Sequence, residues 1–174
     1  MKFVLLGYMG SGKSTVAKAL SNKLHLPHLD LDDYIEEKEQ MSVNKIFQTQ
    51  GEIYFRLQES KFLEEILKMD SELVLSVGGG TPCYSNNMEL INRFSSSIYL
   101  KGSIPTICQR LRNEKDQRPL IADLNDEQLT EFVAKHLFER RNFYEKANKI
   151  ISIDGKSLED LLTEVTLTLK EYLK

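Results

Sequence analysis

The sequence has few residues that could cross-link the chain or bind zinc: it contains two cysteines and three histidines among 174 residues. Cys83 and Cys108 lie 25 positions apart and form no CxxC motif, and no histidine stands at a spacing typical of a zinc site. We therefore expect both thiols to be reduced, as is usual in the cytoplasm, and we expect neither a disulfide scaffold nor a zinc centre.

The sequence also lacks a long apolar run and an excess of positive charge. No 18 consecutive residues are apolar, and the four apolar residues after Met1 and Lys2 are too few for the core of a signal peptide. The formal net charge is −3, whereas a nucleic-acid backbone favours a basic surface. We therefore expect a cytoplasmic, monomeric protein that binds neither membranes nor nucleic acid.

What the sequence does contain is a regular alternation of short apolar runs and helix-length segments. With 41% hydrophobic residues, a chain of this length can bury the core of one domain. The predicted strands are residues 3–6, 28–31, 74–77, 97–100 and 149–153. Strands that alternate with helices indicate a parallel sheet with helices on both faces. The predicted fold is therefore α/β, with three α/β/α layers and a five-stranded parallel sheet, in one domain of residues 1–174.

The most specific motif is GYMGSGKS at residues 7–14, between the first predicted strand and the first predicted helix. Its glycines let backbone N–H groups converge on phosphate oxygens at a helix N-terminus, where the helix dipole favours negative charge. Lys13 can reach the β and γ phosphates, and Ser14 supplies a hydroxyl ligand for Mg²⁺. A glycine turn that only caps a helix is the weaker alternative, because the strand-to-helix context also fits. The predicted nucleotide-binding residues are Gly10, Ser11, Gly12, Lys13, Ser14 and Thr15.

Two carboxylates, Asp30 and Asp32, follow the second predicted strand at the edge where α/β sheets open their ligand crevice. In an extended backbone they face the same side, so one can hold magnesium waters while the other accepts a hydrogen bond from a substrate hydroxyl. The alternative is an N-cap cluster, which Asp33 alone would satisfy for a helix starting near Tyr34. We favour the catalytic interpretation because strand 74–77 ends without the acid that a P-loop kinase needs.

Two further features are ambiguous from the residues alone. Three consecutive glycines at 78–80 directly follow a buried strand, which makes best sense where a ligand approaches the main chain closely. The alternative is a flexible connection before Pro82. Arg56 and Glu59 share one face of a predicted helix, and an exposed ion pair of this kind is common and contributes little to stability.

The remaining candidates are arginines. Arg110, Arg112 and Arg118 lie around residues 113–127, a charged segment without apolar periodicity that we interpret as a mobile lid. Guanidinium groups donate two parallel hydrogen bonds to phosphates and carboxylates. Beside a P-loop, at least one arginine is expected to stabilise charge on the transferring phosphoryl group.

In order and spacing, these motifs resemble those of the shikimate kinase family along nearly the whole chain. The matching blocks are GYMGSGKST at 7–15, LDLDDYIEE at 29–37, IFQTQGEIYFRLQE at 46–59, SVGGG at 76–80, RPL at 118–120 and RRNFYEKA at 140–147. No single block decides the resemblance. It implies a P-loop kinase fold of the nucleoside-monophosphate-kinase type, with a substrate-binding region near 32–60 and a lid near 113–126.

The resemblance also implies a role for each candidate residue. On the substrate side, Asp32 binds shikimate hydroxyls and is a candidate base, and Arg56 and Arg140 clamp the carboxylate, with Arg141 as the alternative to Arg140. The other implied substrate-binding residues are Phe47, Phe55, Gly78, Gly79 and Gly80, and Glu59 orients Arg56. On the nucleotide side, Ser14 and Asp30 hold the Mg²⁺ shell, and Arg118 closes with the lid over the phosphates. Arg112 or Arg110 lies before the lid, and Lys156 is the candidate near adenine.

The predicted reaction is therefore transfer of the γ-phosphoryl group of MgATP to the 3-hydroxyl of shikimate, with Lys13, Asp32 and Arg118 as catalytic residues. The nearest alternative is another small-molecule kinase, for gluconate or a nucleotide. A nucleotide-dependent switch is the alternative from another class. It is disfavoured because no predicted strand ends in DxxG, and because NEKD at 113–116 departs from the guanine-binding order NKxD.

Overall fold

The computed structural model describes residues 1–114, 118 and 120–170, except for the side chain of Lys170. Within these ranges the chain forms five strands, seven α-helices and one short 3-10 helix. Their bounds are β1 Lys2–Leu6, α1 Lys13–Leu24, β2 His28–Asp30, α2 Leu31–Glu39, α3 Val43–Lys68, β3 Leu73–Ser76, the 3-10 helix Thr81–Cys83, α4 Asn87–Phe94, β4 Ser96–Lys101, α5 Ile104–Arg112, α6 Asp126–Tyr144, β5 Lys149–Ser152 and α7 Leu158–Lys170.

The five strands form one parallel sheet in the order β2-β3-β1-β4-β5. The predicted α/β fold with a five-stranded parallel sheet is thus confirmed. Leu5 of β1 pairs with Ser76 of β3, and Ser76 also pairs with Asp30 of β2. The carboxyl ends of these three strands therefore meet at one edge of the sheet, which brings the P-loop, the acidic segment and the glycine turn together.

The core lies along the central strands. Residues 3–6 of β1 and 73–76 of β3 are buried throughout, as expected for parallel strands covered on both faces. Helix α1 packs against β1 and β3 and against α7, and α4 packs against β4 and α3. This packing holds the N-terminus of α1 at the carboxyl edge of the sheet. No helix in the described ranges is both long and apolar enough to cross a membrane.

Two local features shape the predicted substrate-binding region. Leu31, predicted to continue the second strand, is instead the first residue of α2. Helix α3 is kinked at Gly51, whose φ of 84° and ψ of 172° are not helical and suit glycine. The kink separates the first two turns of α3 from the part that carries Arg56.

The predicted lid is only partly described: residues 115–117 and 119 lie outside the described residues. Beyond them, Ile121 is fully buried, and α6 begins at Asp126 after a capping box of Asn125 and Gln128. Helix α6 therefore starts within residues 113–127, and the mobility that we predict for this segment stays a prediction.

Candidate active site

A cavity of about 530 Å³ lies at the carboxyl edge of the sheet, beside the P-loop. Its volume is within the range typical of small-molecule sites. It is lined by Met9, Gly10, Ser11, Gly12, Lys13, Ser14, Thr15, Val16, Asp30, Asp32, Val77, Gly78, Gly79, Arg110, Glu114, Arg118, Lys156, Leu158 and Leu161. The structure therefore places the six predicted nucleotide-binding residues 10–15, both candidate carboxylates and part of the glycine turn around one space.

The P-loop owes its shape to glycines. Gly10 and Gly12 have φ values of 77° and 86°, in the left-handed region that favours glycine. The Nζ atom of Lys13 donates a hydrogen bond of 2.9 Å to the carbonyl oxygen of Tyr8, so the lysine folds back over the loop. Burial lowers the pKa of Lys13 to about 8, although the nearby Asp32 carboxylate opposes this shift.

Asp30 is the N-cap of α2, and its carboxylate has three hydrogen-bond donors around it. Oδ1 accepts from the backbone N–H of Asp32 at 3.0 Å, while Oδ2 accepts from the hydroxyls of Ser76 at 2.7 Å and Ser14 at 3.2 Å. The alternative in which Asp33 caps a helix starting near Tyr34 is wrong, because the helix starts at Leu31. Asp30 both caps the helix and brings a carboxylate next to the P-loop serine.

Asp32 lies in the first turn of α2, so it reaches the cavity from a helix, and the condition of an extended backbone on which the sequence argument relied is not met. A β-carbon on Gly78 would lie 3.5 Å from Oδ1 of Asp32, so the carboxylate sits against the glycine turn. Burial, together with the neighbouring carboxylates of Asp30 and Glu59, raises the pKa of Asp32 to about 7. A carboxylate with a pKa near neutrality is suited to proton transfer.

Arg56 is held by a buried partner. Its Nη1 atom donates a 2.7 Å hydrogen bond to Oε2 of Glu59, whose side chain is only 1% exposed. The interpretation of this pair as an ordinary surface ion pair is therefore wrong. A β-carbon on Gly80 would lie 2.7 Å from Cζ of Arg56, and closer still to Nη2. The guanidinium group thus lies directly against the glycine turn.

Arg140 of α6 lies against the adjoining glycine. A β-carbon on Gly79 would be 3.3 Å from Nη1 of Arg140, and Cζ of Arg140 is 5.5 Å from the centre of the Tyr8 ring. Arg141, by contrast, is exposed and forms a 2.9 Å ion pair with Glu145. Two guanidinium groups from distant helices therefore lie against consecutive glycines, and Asp32 lies against the glycine before them. Such an arrangement suits a planar anion.

The two predicted pocket phenylalanines are in contact. The rings of Phe47 and Phe55 have centroids 4.6 Å apart. Phe55 is buried, Phe47 is 37% exposed, and Cζ of Arg56 lies 5.3 Å from the Phe55 ring centroid. The aromatic pair thus borders the guanidinium group of Arg56.

The arginines near the lid differ in position. Arg110 lines the cavity, and its Nη1 atom donates to the carbonyl oxygens of Gly10 and Ser11 at 3.3 and 3.2 Å. Arg112 does not line it and instead pairs with Asp126 at 3.2 Å. Of the two candidates before the lid, the structure therefore brings only Arg110 to the P-loop.

Arg118 and Lys156 both line the cavity and are both paired with carboxylates. Arg118 donates from Nε and Nη2 to Oε2 of Glu114 at 2.9 and 2.6 Å. Lys156 donates to the carboxylate of Glu164. Each cation therefore lies at the cavity and is already bound to a carboxylate. A phosphate would have to displace that carboxylate or bind the cation together with it.

Sequence reasoning missed three residues that hold the site together: Ser76, Thr81 and Tyr144. The hydroxyl of Ser76 binds Asp30, that of Thr81 donates to Glu59 at 2.6 Å, and that of Tyr144 donates to the carbonyl oxygen of Gly79 at 2.6 Å. The sequence offered two signals: Ser76 is a hydroxyl residue at the end of an otherwise apolar strand, and Thr81 directly follows the glycines. Neither specifies a partner.

The chain is similar to known proteins over almost its whole length. The sequence profile of the shikimate kinase family matches residues 9–170. A shikimate kinase of Flavobacterium johnsoniae is 44% identical over 165 residues, which cover 94% of this chain and 96% of that protein.

Two solved structures are similar over almost their whole length. The crystal structure of shikimate kinase from Bacteroides thetaiotaomicron has a TM-score of 0.90 and 35% identity, with 98% of both chains covered. Shikimate kinase from Acinetobacter baumannii, solved in complex with shikimate, has a TM-score of 0.85 and 30% identity, with 99% of this chain and 95% of that chain covered. The chain belongs to the shikimate kinase family.

Proposed function

We propose that this protein transfers the γ-phosphoryl group of MgATP to the 3-hydroxyl of shikimate and releases ADP and shikimate 3-phosphate. Family membership makes it an ATP-dependent phosphotransferase that acts on an alcohol group of shikimate. The observation that carries the assignment of residues is that Arg56 and Arg140 lie against consecutive glycines of the turn whose first glycine, Gly78, lies against Asp32 and lines the P-loop cavity. We take residues 1–174 as one kinase domain that acts as a cytoplasmic monomer.

On the substrate side, Arg56 and Arg140 bind the carboxylate of shikimate. Shikimate carries one carboxylate and several hydroxyls, and paired guanidinium groups match the planar carboxylate with parallel hydrogen bonds. The absence of β-carbons at 79 and 80 leaves room for the two guanidinium groups against the main chain. The glycine turn at 78–80 and the rings of Phe47 and Phe55 border the substrate ring. Asp32 accepts a hydrogen bond from the hydroxyl that is phosphorylated.

On the nucleotide side, the P-loop binds the phosphates and Lys13 exchanges its bond to the Tyr8 carbonyl for phosphate oxygens. The hydroxyl of Ser14 and the carboxylate of Asp30 are adjacent oxygen donors at the cavity, a set that fits Mg²⁺ and its waters. When bound, the ion neutralises charge on the β and γ phosphates. Arg110 is the better candidate than Arg112 before the lid, and Lys156 lies where the nucleotide would continue.

Catalysis by this arrangement is mainly positioning and charge neutralisation. The arginines hold shikimate so that its hydroxyl faces the γ phosphate, and Asp32, with its raised pKa, takes the hydroxyl proton. Lys13 and Arg118 stabilise charge on the transferring group. Arg118 can do so only if it exchanges its bond to the Glu114 carboxylate for one to phosphate. Closure of the lid would bring about this exchange and exclude water.

The test is a coupled ADP-release assay with shikimate present and absent, followed by a panel of acceptors that includes gluconate and AMP. We expect ADP release to depend on shikimate. Arg56→Ala should raise KM for shikimate strongly with KM for ATP nearly unchanged, whereas Arg141→Ala, an exposed arginine on α6, is the matched control and should change neither. A preference for gluconate or AMP, or a guanine preference without any acceptor, would overturn the proposal.

A further inference from the structure

We propose that Thr81 is a positioning residue that holds Arg56 in place through Glu59. The inference rests on the proposed function, in which Arg56 binds the substrate carboxylate. It assigns a task to a residue that does not line the cavity and that directly follows the three glycines.

The carboxylate of Glu59 is bound at both of its oxygens. Oε1 accepts a 2.6 Å hydrogen bond from the hydroxyl of Thr81, and Oε2 accepts the 2.7 Å hydrogen bond from Nη1 of Arg56. Glu59 is 1% exposed and Thr81 is fully buried. Because water does not reach this pair, no solvent molecule can replace the hydroxyl as donor, and loss of the donor would leave a buried carboxylate oxygen unpaired.

Thr81 is itself fixed by contacts that do not involve α3. Its backbone N–H donates to the carbonyl oxygen of Gly78 at 3.1 Å, and its own carbonyl oxygen accepts a 2.9 Å hydrogen bond from Nδ2 of Asn87. Asn87 is fully buried at the start of α4. The glycine turn and α4 therefore fix the position of the Thr81 hydroxyl. The hydroxyl in turn fixes the carboxylate of Glu59 on α3.

With the hydrogen bond from Arg56 alone, Oε1 of Glu59 would have no donor, and the carboxylate would be held at one oxygen only. Glu52, whose carboxylate is 3.9 Å from Nε of Arg56 and largely exposed, offers the guanidinium group a competing partner on the solvent side. With Thr81 donating, Glu59 presents a fixed oxygen, and Arg56 stays against Gly80. Such pre-organisation means that less ordering is needed when the substrate carboxylate binds.

The experiment compares Thr81→Val, which keeps the shape but loses the hydroxyl, with Thr81→Ser, which keeps the hydroxyl. We expect Thr81→Val to raise KM for shikimate roughly tenfold, the scale of a lost hydrogen bond to a charged group, with little change in kcat or KM for ATP. Thr81→Ser should restore KM for shikimate. In an Arg56→Ala background, Thr81→Val should have no further effect, because its influence passes through Arg56.

The outcomes separate the inference from the function on which it rests. If Arg56→Ala leaves KM for shikimate unchanged, the proposed function fails. If Arg56→Ala raises it but Thr81→Val does not, only the role of Thr81 is refuted. A Thr81→Val effect that is equal for ATP and shikimate, or that persists in full without Arg56, would indicate general structural damage and also refute it. Thermal unfolding checks the fold, and if Thr81→Val does not fold, Thr81→Ala is judged by the same criteria.

Discussion

The guanidinium group of Arg56 occupies space that only glycine at position 80 leaves open: a β-carbon there would lie 2.7 Å from Cζ of Arg56. Gly80 has φ −85° and ψ −23°, which alanine also adopts, so Gly80→Ala adds the clash without backbone strain. We predict that Gly80→Ala displaces Arg56 and raises KM for shikimate at least roughly tenfold, the scale of a lost charge-assisted hydrogen bond. Steady-state kinetics with each substrate varied in turn provide the measurement.

The matched control for Gly80→Ala is the same change in an Arg56→Ala background, where the clash is absent. The double variant should have the KM of Arg56→Ala alone. An additional loss in the double variant would show that Gly80 matters for another reason, such as direct contact with the substrate.

The lowered pKa of Lys13 predicts a pH dependence of ATP binding. Burial brings this pKa to about 8, so in the free protein the side chain loses its charge as the pH rises through that value. Phosphates favour the charged lysine, and binding above pH 8 therefore requires proton uptake. We predict that the Kd for ATP increases above about pH 8, as measured by calorimetry in buffers of different ionisation enthalpy. A Kd that is constant from pH 7 to 9.5, without proton uptake, would contradict the assignment.

The raised pKa of Asp32 predicts that turnover falls on the acidic side of the pH profile. Its pKa is raised to about 7, so the carboxylate becomes available as a proton acceptor only as the pH rises through that value, and kcat/KM for shikimate should rise with it. Asp32→Asn should lower kcat by about 10²–10⁴, the usual contribution of general base catalysis. ATP should still bind to this variant. The increase in the Kd for ATP at alkaline pH should begin at a lower pH, because the Asp32 charge normally raises the pKa of Lys13. Retention of most of the turnover by Asp32→Asn would rule out its role as base.

The proposed role of Asp30 at the Mg²⁺ site can be tested with Asp33 as the control. Asp30 contacts the Ser14 hydroxyl, whereas Asp33, three residues along the chain, is exposed and is not among the cavity-lining residues. We predict that Asp30→Asn raises the Mg²⁺ concentration needed for half-maximal activity, because an amide carries no charge to attract a hard cation. Asp33→Asn should leave the Mg²⁺ titration unchanged. Equal effects of the two variants would argue against a metal site at Asp30.

Arg110 and Arg112 provide a similar comparison on one helix. Arg110 donates to the P-loop carbonyls, while Arg112 pairs with Asp126 away from the cavity. We predict that Arg110→Ala raises KM for ATP by roughly five- to a hundredfold, the scale of one to three kcal/mol, and that Arg112→Ala has little effect. The reverse result would restore Arg112 as the nucleotide-binding residue.

The sequence was sufficient for the features that depend on neighbouring residues. The apolar runs specify buried parallel strands, and the spacing of Gly7, Gly10 and Gly12 before Lys13 specifies a loop whose backbone only glycine adopts readily. The order of the motifs was enough to indicate the family. These predictions succeed because the physical cause lies within a few residues of the chain.

Contacts between distant segments could not be predicted in this way. Successive residues of a helix point about 100° apart, so the packing of α5 and α6 decides that Arg110 and Arg140 face the site while Arg112 and Arg141 do not. Likewise, the Arg56–Glu59 pair looks ordinary in sequence, but in the fold its carboxylate is buried and also accepts a hydrogen bond from Thr81, 22 residues away.

The sequence alone therefore determined the chain's fold class, its P-loop and the set of residues from which a site could be built. The tertiary structure decided which members of that set come together, that Asp30 caps a helix while contacting Ser14, and that the Thr81 hydroxyl donates to Glu59. The physical reason is the distance along the chain between the residues that interact. Backbone conformation and the periodicity of burial depend on neighbouring residues. The pKa values, ion pairs and hydrogen-bond partners depend on side chains that only the folded chain brings together.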